Sequence, residues 1–209
     1  MRGLTVGSYG MTRMIILVLL PGAVVALASC GSSLGSKVLT DSFSEPLNGV
    51  AIAKVDINAS DGNLTIDRLT GGEEVLASGA LQYFKNRGLP TRTLVSSDGQ
   101  ATLTLRGSNA GRPWFRFPWA ACNGATEWQI HLNPMVVFDI TAHSDGGNVK
   151  LNLASMTITR VLADTGGGNM DVVLPDDATN LSVTAKTGAG NVTVEIGNGT
   201  TGSSAINAS

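Results

Sequence analysis

A phrase that returns every 21 or 22 residues constrains this chain more than any other feature. Ser144-Asp145-Gly146-Gly147-Asn148 leads into Val149, Leu151 and Leu153, and Thr165-Gly166-Gly167-Gly168-Asn169 leads into Met170, Val172 and Leu174. Thr187-Gly188-Ala189-Gly190-Asn191 leads into Val192, Val194 and Ile196. The three asparagines stand 21 and 22 residues apart. Weaker copies lie upstream, at Ser60-Asp61-Gly62-Asn63 and Ser97-Asp98-Gly99-Gln100. Between the phrases run further alternating stretches, plainest at Val55-Asp56-Ile57, Trp128-Gln129-Ile130-His131-Leu132, Phe138-Asp139-Ile140 and Leu181-Ser182-Val183.

A fixed period implies stacked units, none of which buries its apolar face alone. Some 21 residues are too few for a helix pair but hold two short strands and two turns. Leucine-rich repeats share the length, yet their dense leucine signature is absent. The expected fold is therefore an all-β solenoid, right-handed and β-helix-like, with apolar residues inward and rungs about 4.8 Å apart. Glycines take the corners, where positive φ or close rung approach excludes a Cβ. Asn148, Asn169 and Asn191 are expected in one column with their amides bonded up and down it. A meander or β-sandwich is the competing fold, because alternation does not report strand direction. The 26 glycines, with abundant Thr, Ser, Asn and Val, suit either.

The stretches Leu132-Asn133-Pro134, Phe138-Asp139-Ile140, Gly146-Gly147 and Leu151 to Leu153 resemble a toast-rack domain. So do Ile158-Thr159-Arg160-Val161, Thr165 to Asn169 and Val173-Leu174-Pro175. Such domains occur in bacterial adhesin-like proteins and in cell-wall-active antibiotic response proteins. The likeness spans about residues 50–200 and is strongest over 128–196. It implies a β-helical, non-catalytic envelope module with no catalytic residues to carry over.

The N-terminus carries the second informative pattern. Arg2 and Arg13 precede residues 14–28, apolar throughout except for Pro21-Gly22, and the run ends in Leu27-Ala28-Ser29-Cys30. This is the build of a secretory signal peptide. Leu27, Ala28, Ser29 and Cys30 resemble the lipobox of bacterial lipoproteins, which implies diacylation of Cys30 and cleavage before it. Two acyl chains make a stable anchor. An uncleaved anchor helix and an ordinary signal peptide are the alternatives; 15 residues fall short of the roughly 20 that span a bilayer. Translation from Met11 also leaves an adequate charged start. The expected layout is a signal peptide over 1–29, a lipidated Cys30 with a flexible tether over 30–48, and one β-solenoid domain over 49–209.

Without residues 1–29, the 14 basic residues lose Arg2 and Arg13, leaving 12 against 16 acidic, net −4. No basic stripe exists for nucleic acid. With Cys30 lipidated, Cys122 is expected as a buried thiol without a disulfide. His131 is expected on an outward face and His143 before a glycine turn. No cluster has metal-ligand spacing, so neither metal nor cofactor is expected. Asp61, Asp98 and Asp145 read as turn residues. The one Gly-x-Ser-x-Gly match after the leader, at 31–35, lies in the expected flexible tether, so no nucleophile elbow is expected. Asp139 and Asp171 are the one conceivable glycosidase pair, outweighed by their reading as solvated strand residues.

One segment breaks the rhythm. Within an insertion at about 107–126, Trp114, Phe115, Arg116, Phe117 and Trp119 gather four of the chain's ten aromatics around Pro113 and Pro118. The segment reads either as a cap on a solenoid end or as a partner-binding cluster. Tyr83-Phe84-Lys85-Asn86-Arg87 reads as a second, longer loop. The functional expectation is a non-enzymatic, lipid-anchored, extracytoplasmic adhesion or interaction module, with inner or outer membrane left open. Its expected partners are the membrane through the lipid, and a cell-wall polymer or another envelope protein. An envelope-stress signalling accessory and, below it, a polysaccharide-active β-helix enzyme are the rival readings.

Overall fold

The computed structural model describes residues 37–60, 62–71, 74–108 and 126–208. The chain divides into two units, Met1–Leu34 and Gly35–Ser209, and all the described residues belong to the second. Its strands, in chain order, are β1 (Val38–Pro46), β2 (Ile52–Asn58), β3 (Asn63–Arg68), β4 (Val75–Phe84), β5 (Thr91–Ser97), β6 (Gln100–Arg106) and β7 (Glu127–Leu132). They continue as β8 (Val137–Ser144), β9 (Val149–Asn152), β10 (Thr157–Thr165), β11 (Met170–Val173), β12 (Leu181–Thr187), β13 (Val192–Glu195) and β14 (Gly202–Ala208). The first sheet runs β1-β4-β7-β3-β9-β11-β13 and the second β14-β12-β10-β8-β2-β6-β5.

The sequence period becomes the pairing register. Val149 pairs with Met170 and Met170 with Val192 in the first sheet; Val161 pairs with Val183 and Leu181 with Gly202 in the second, all parallel. Parallel neighbours exclude the meander, which needs antiparallel ones. Each repeat gives one strand to each sheet, and in the repeat strands inward positions alternate with outward ones except at a bulge in β10. Leu64, Ile66, Trp128, Ile130, Ile140, Leu151, Val161, Val172 and Ala185 share one continuous core. The extra residue Thr159, a bulge between Ile158 and Arg160, absorbs a register slip between β8 and β10.

The N-terminal third is built differently. β3 meets β9 across 85 residues, Leu64 on Val149, and β2 meets β8 with the same offset, Ile52 on Val137. The intervening chain goes out to the far side of β2 and β3. There β6 and β7 add a parallel strand to each sheet, and β4, β5 and β1 add antiparallel ones.

Two expectations are corrected here. Residues 38–46, expected within a flexible tether, form β1. Their inward positions carry Asp41, Phe43 and Glu45, a polar pattern until Arg92 of β5 reaches both acids, at 3.3 and 2.7 Å. The supposed repeat copy at Ser97-Asp98-Gly99-Gln100 is a hairpin turn between β5 and β6. Asp98 and Gly99 have φ of 53° and 74°, and two consecutive positive φ values make a type I′ turn.

Candidate functional site

The corners between the sheets are the most regular feature of the described surface. Asn63, Asn148, Asn169 and Asn191 form one column across β3, β9, β11 and β13. The Asn63 Oδ1 accepts the backbone N–H of Asn148 at 3.0 Å, Asn148 that of Asn169 at 2.9 Å, and Asn169 that of Asn191 at 3.1 Å. The expected amide-to-amide ladder is thus replaced by side-chain-to-backbone bonds. The N–H groups of Asn148, Asn169 and Asn191 lie one residue ahead of the first ladder bond, such as Val149 N–H to the Asn169 carbonyl at 2.9 Å, and a side chain satisfies each of them.

Beside this column lies a second that sequence reasoning missed. The buried hydroxyls of Ser144, Thr165 and Thr187 donate to corner carbonyls of neighbouring turns. Ser144 reaches the Gly62 carbonyl, Thr165 that of Gly147 and Thr187 that of Gly168, each at 2.9 Å. A Ser or Thr four residues before each asparagine was the available signal. The weaker copy is one residue shorter. Its Ser60 is 4% exposed, and its hydroxyl is the one buried side-chain polar atom left without a partner among the described residues.

The outward faces carry ion pairs that join adjacent strands. Arg160 grips Asp139 through two bonds of 2.9 Å, and Arg106 holds Asp56 at 2.7 Å. His131, on the outward face, pairs through Nδ1 with Asp67. His143 sits between Asp164 on Nδ1 and Asp145 on Nε2, the latter at 2.9 Å. Burial opposes charge on His143, but hydrogen bonds to Asp145 and Asp164 and the charges of both outweigh it and raise its pKa above 6.5. Asp145 is therefore more than a turn residue.

Asp139 lies on β8 of the second sheet and Asp171 on β11 of the first, so the conceivable glycosidase pair does not share a face. Among the described residues no group of three or more His, Cys, Asp or Glu is placed to hold a metal ion. None of their helices is long and apolar enough to cross a membrane.

Leu27, Ala28, Ser29, Cys30, Cys122, Trp114, Phe115, Arg116, Phe117 and Trp119 lie outside the described residues, as does Asp61. The roots of the aromatic insertion are described. The Gly107 N–H reaches the Asn58 carbonyl at 2.7 Å, and the Thr126 carbonyl accepts from the Asn63 N–H at 2.8 Å. The insertion thus leaves the fold at the row of corners, where other turns carry Gly-Asn.

Residues 34–195 match the family described as the N-terminal domain of toast_rack, DUF2154. The chain belongs to this toast-rack family. Its fold is similar to the crystal structure of a "putative cell adhesion protein" from Clostridium sporogenes ATCC 15579, with a TM-score of 0.58 and 17% identity, covering 82% of this chain and 99% of the other. A "putative adhesin" from Bacteroides fragilis NCTC 9343 also matches, at 13% identity over 86% of this chain and 100% of that one, but its TM-score of 0.26 supports no argument about shared fold. No curated protein matches the sequence. The matched residues take in β1 to β13, the corner columns and the outward ion pairs described above.

Proposed function

We propose that this toast-rack chain is a non-catalytic contact module of the bacterial cell envelope, working by adhesion or interaction at a membrane surface. The observation that carries the reading is the likeness in fold to a protein named for cell adhesion, over nearly that protein's whole length. The chemistry of the described surface agrees. His131, His143, Arg106 and Arg160 each pair with an acid of the neighbouring strand, which is work for a scaffold.

In this reading the two sheets are one right-handed solenoid, coiled from β8 onward by two strands per turn. Cleavage before Cys30 and acylation of its thiol hold the domain at the membrane, outside the cytoplasm. The partner, a wall polymer or another envelope protein, meets the outward faces and the insertion bearing Trp114, Phe115, Arg116, Phe117 and Trp119. A binding role for that insertion is supported by where its roots stand, along the corners, and by β1, β4 and β5, which already cover the N-terminal ends of both sheets.

Fractionation of cells carrying Cys30→Ser tests the anchor. The variant is expected in the soluble extracytoplasmic fraction, and its persistence in membranes refutes the lipid. Crosslinking in intact cells tests the contact: Trp114→Ala/Trp119→Ala is expected to lose the partner that the unaltered chain captures. Equal capture by both removes the insertion from the site.

A further inference from the structure

The chain's five lysines are placed in two ways. Three lie on the outward faces of the sheets, each opposite an acid of the neighbouring strand: Lys54 on Asp139, Lys150 on Asp171 and Lys186 on Asp164. Opposite charges facing across a ladder stabilise a sheet, and like charges weaken it. Lys37 and Lys85 depart from this arrangement. They extend the ladder of β1 and β4 by one pair beyond Val38 on Phe84, and the Lys85 N–H donates to the Lys37 carbonyl at 2.9 Å. Both are exposed, and neither forms an ion pair among the described residues.

The rest of this tip has the same character. Lys85 opens a short 3-10 helix, Lys85–Arg87, and the Arg87 guanidinium lies 5.0 Å from the centre of the Phe84 ring. Val38 is 41% exposed, and Leu89, in the loop to β5, is 57% exposed. Residues 75–90 contain no acid. The acids of β1, Asp41 and Glu45, point inward and are held by Arg92, whose guanidinium lies 5.2 Å from the centre of the Phe43 ring. On β7, Glu127 stands beside Gln82 and accepts from the Gln129 side chain. In a chain with more acids than bases, cations and exposed aliphatics thus gather where β1 begins.

We propose that this tip docks on the anionic phospholipid headgroups of the membrane that holds the chain, an inference that rests on the lipid anchor at Cys30. Val38 follows Cys30 by eight residues, so an acylated thiol keeps the start of β1 within about 30 Å of the headgroups even on a fully extended chain. Headgroup phosphates beside Lys37 and Lys85 offset the repulsion between the two ammonium groups. Each cation close to an anionic leaflet strengthens binding about fivefold. Val38 and Leu89 add apolar contact at the interface. Docked in this way, the tip faces the bilayer and the outward faces of both sheets are left to the partner.

The test uses the chain as cells process it, mixed with vesicles of phosphatidylglycerol and phosphatidylcholine or of phosphatidylcholine alone, and reads lysine acetylation by mass spectrometry. Lys37 and Lys85 should react at least about fivefold more slowly on the anionic vesicles, while Lys54, Lys150 and Lys186 react alike on both. No slowing at 37 and 85, or equal slowing at all five lysines, overturns the proposal. Flotation with phosphatidylcholine vesicles reads the anchor separately. A chain that floats without protection at 37 and 85 on the anionic vesicles refutes the tip and spares the anchor. One that does not float but is protected there supports the tip and refutes the anchor. Amide exchange over residues 85–89 should also slow at least about fivefold on anionic vesicles, and by less than about twofold in Lys37→Gln/Lys85→Gln, which alters only exposed side chains. Undiminished slowing in that variant overturns the role of the lysines. Protection by soluble polyglycerol phosphate but not by vesicles overturns the lipid assignment in favour of a wall polymer.

Discussion

Three consecutive glycines at one corner have three different neighbourhoods. A Cβ on Gly168, whose φ is +123°, would run into the Gly147 carbonyl of the adjacent turn; one on Gly167 would meet nothing within 4 Å, and Gly167 has no positive φ. Gly168→Ala should therefore cost about 3 kcal/mol, from forbidden backbone and a clash that only separating the turns relieves, and Gly167→Ala less than about 1 kcal/mol. Urea midpoints of the two variants check this, and equal losses would refute it. The glycine-rich phrase was readable as a corner, but which glycine is obligatory depends on the carbonyl stacked above it. His143 makes the same point in electrostatics. Its carboxylate partners stand at 145 and 164, so a residue read as merely preceding a turn joins two turns of the stack. Since its folded pKa is raised, the charged imidazole's contribution to stability is complete below pH 6.5 and disappears as pH rises through the folded value. Denaturant midpoints at about pH 5 and pH 8 should show this gain on acidification, and His143→Gln should remove that part of the difference.

At the scale of elements, the repeat strands were legible because each places aliphatics on one face and polar residues on the other. Val149 and Leu151 are buried while Lys150 and Asn152 are exposed. β1 was not legible, because Asp41 and Glu45 share their face with Phe43. An inward acid pattern turns into a strand only when a cation comes from elsewhere in the chain, here Arg92, some fifty residues on. Gly79 of β4 contributes the room, for a Cβ there would enter the Phe43 ring. Arg92→Ala should cost about 2 kcal/mol, by losing the ring contact and leaving the 16%-exposed Glu45 unpaired. Thermal melting should show the loss, and Arg92→Lys should recover part of it. A melting point unchanged by Arg92→Ala would mean that the clasp contributes nothing to holding β1 and β5.

For the whole molecule, neighbouring strands are about 21 residues apart in the C-terminal half but 85 apart where β3 meets β9, and closing longer loops costs more entropy before contacts repay it. The repeats from β8 onward should form first and template β2 and β3. Leu151→Ala and Leu103→Ala both remove fully buried side chains and should each cost about 2–5 kcal/mol, but Leu151→Ala should mainly slow refolding and Leu103→Ala mainly speed unfolding. Stopped-flow chevrons distinguish them, and the reverse assignment refutes this order. The sequence alone determined that the repeat domain is all-β, that its turns stack with a 21-to-22-residue step, and that Asn148, Asn169 and Asn191 stand in line, because period and alternation act locally on every residue. Only the tertiary structure decided that β6 and β7 join the far side of β2 and β3, that Asp98-Gly99 is a hairpin, and that Arg92 clasps β5 to β1. Those outcomes rest on which distant backbone and charged groups find each other, and spacing along a chain carries no record of that choice.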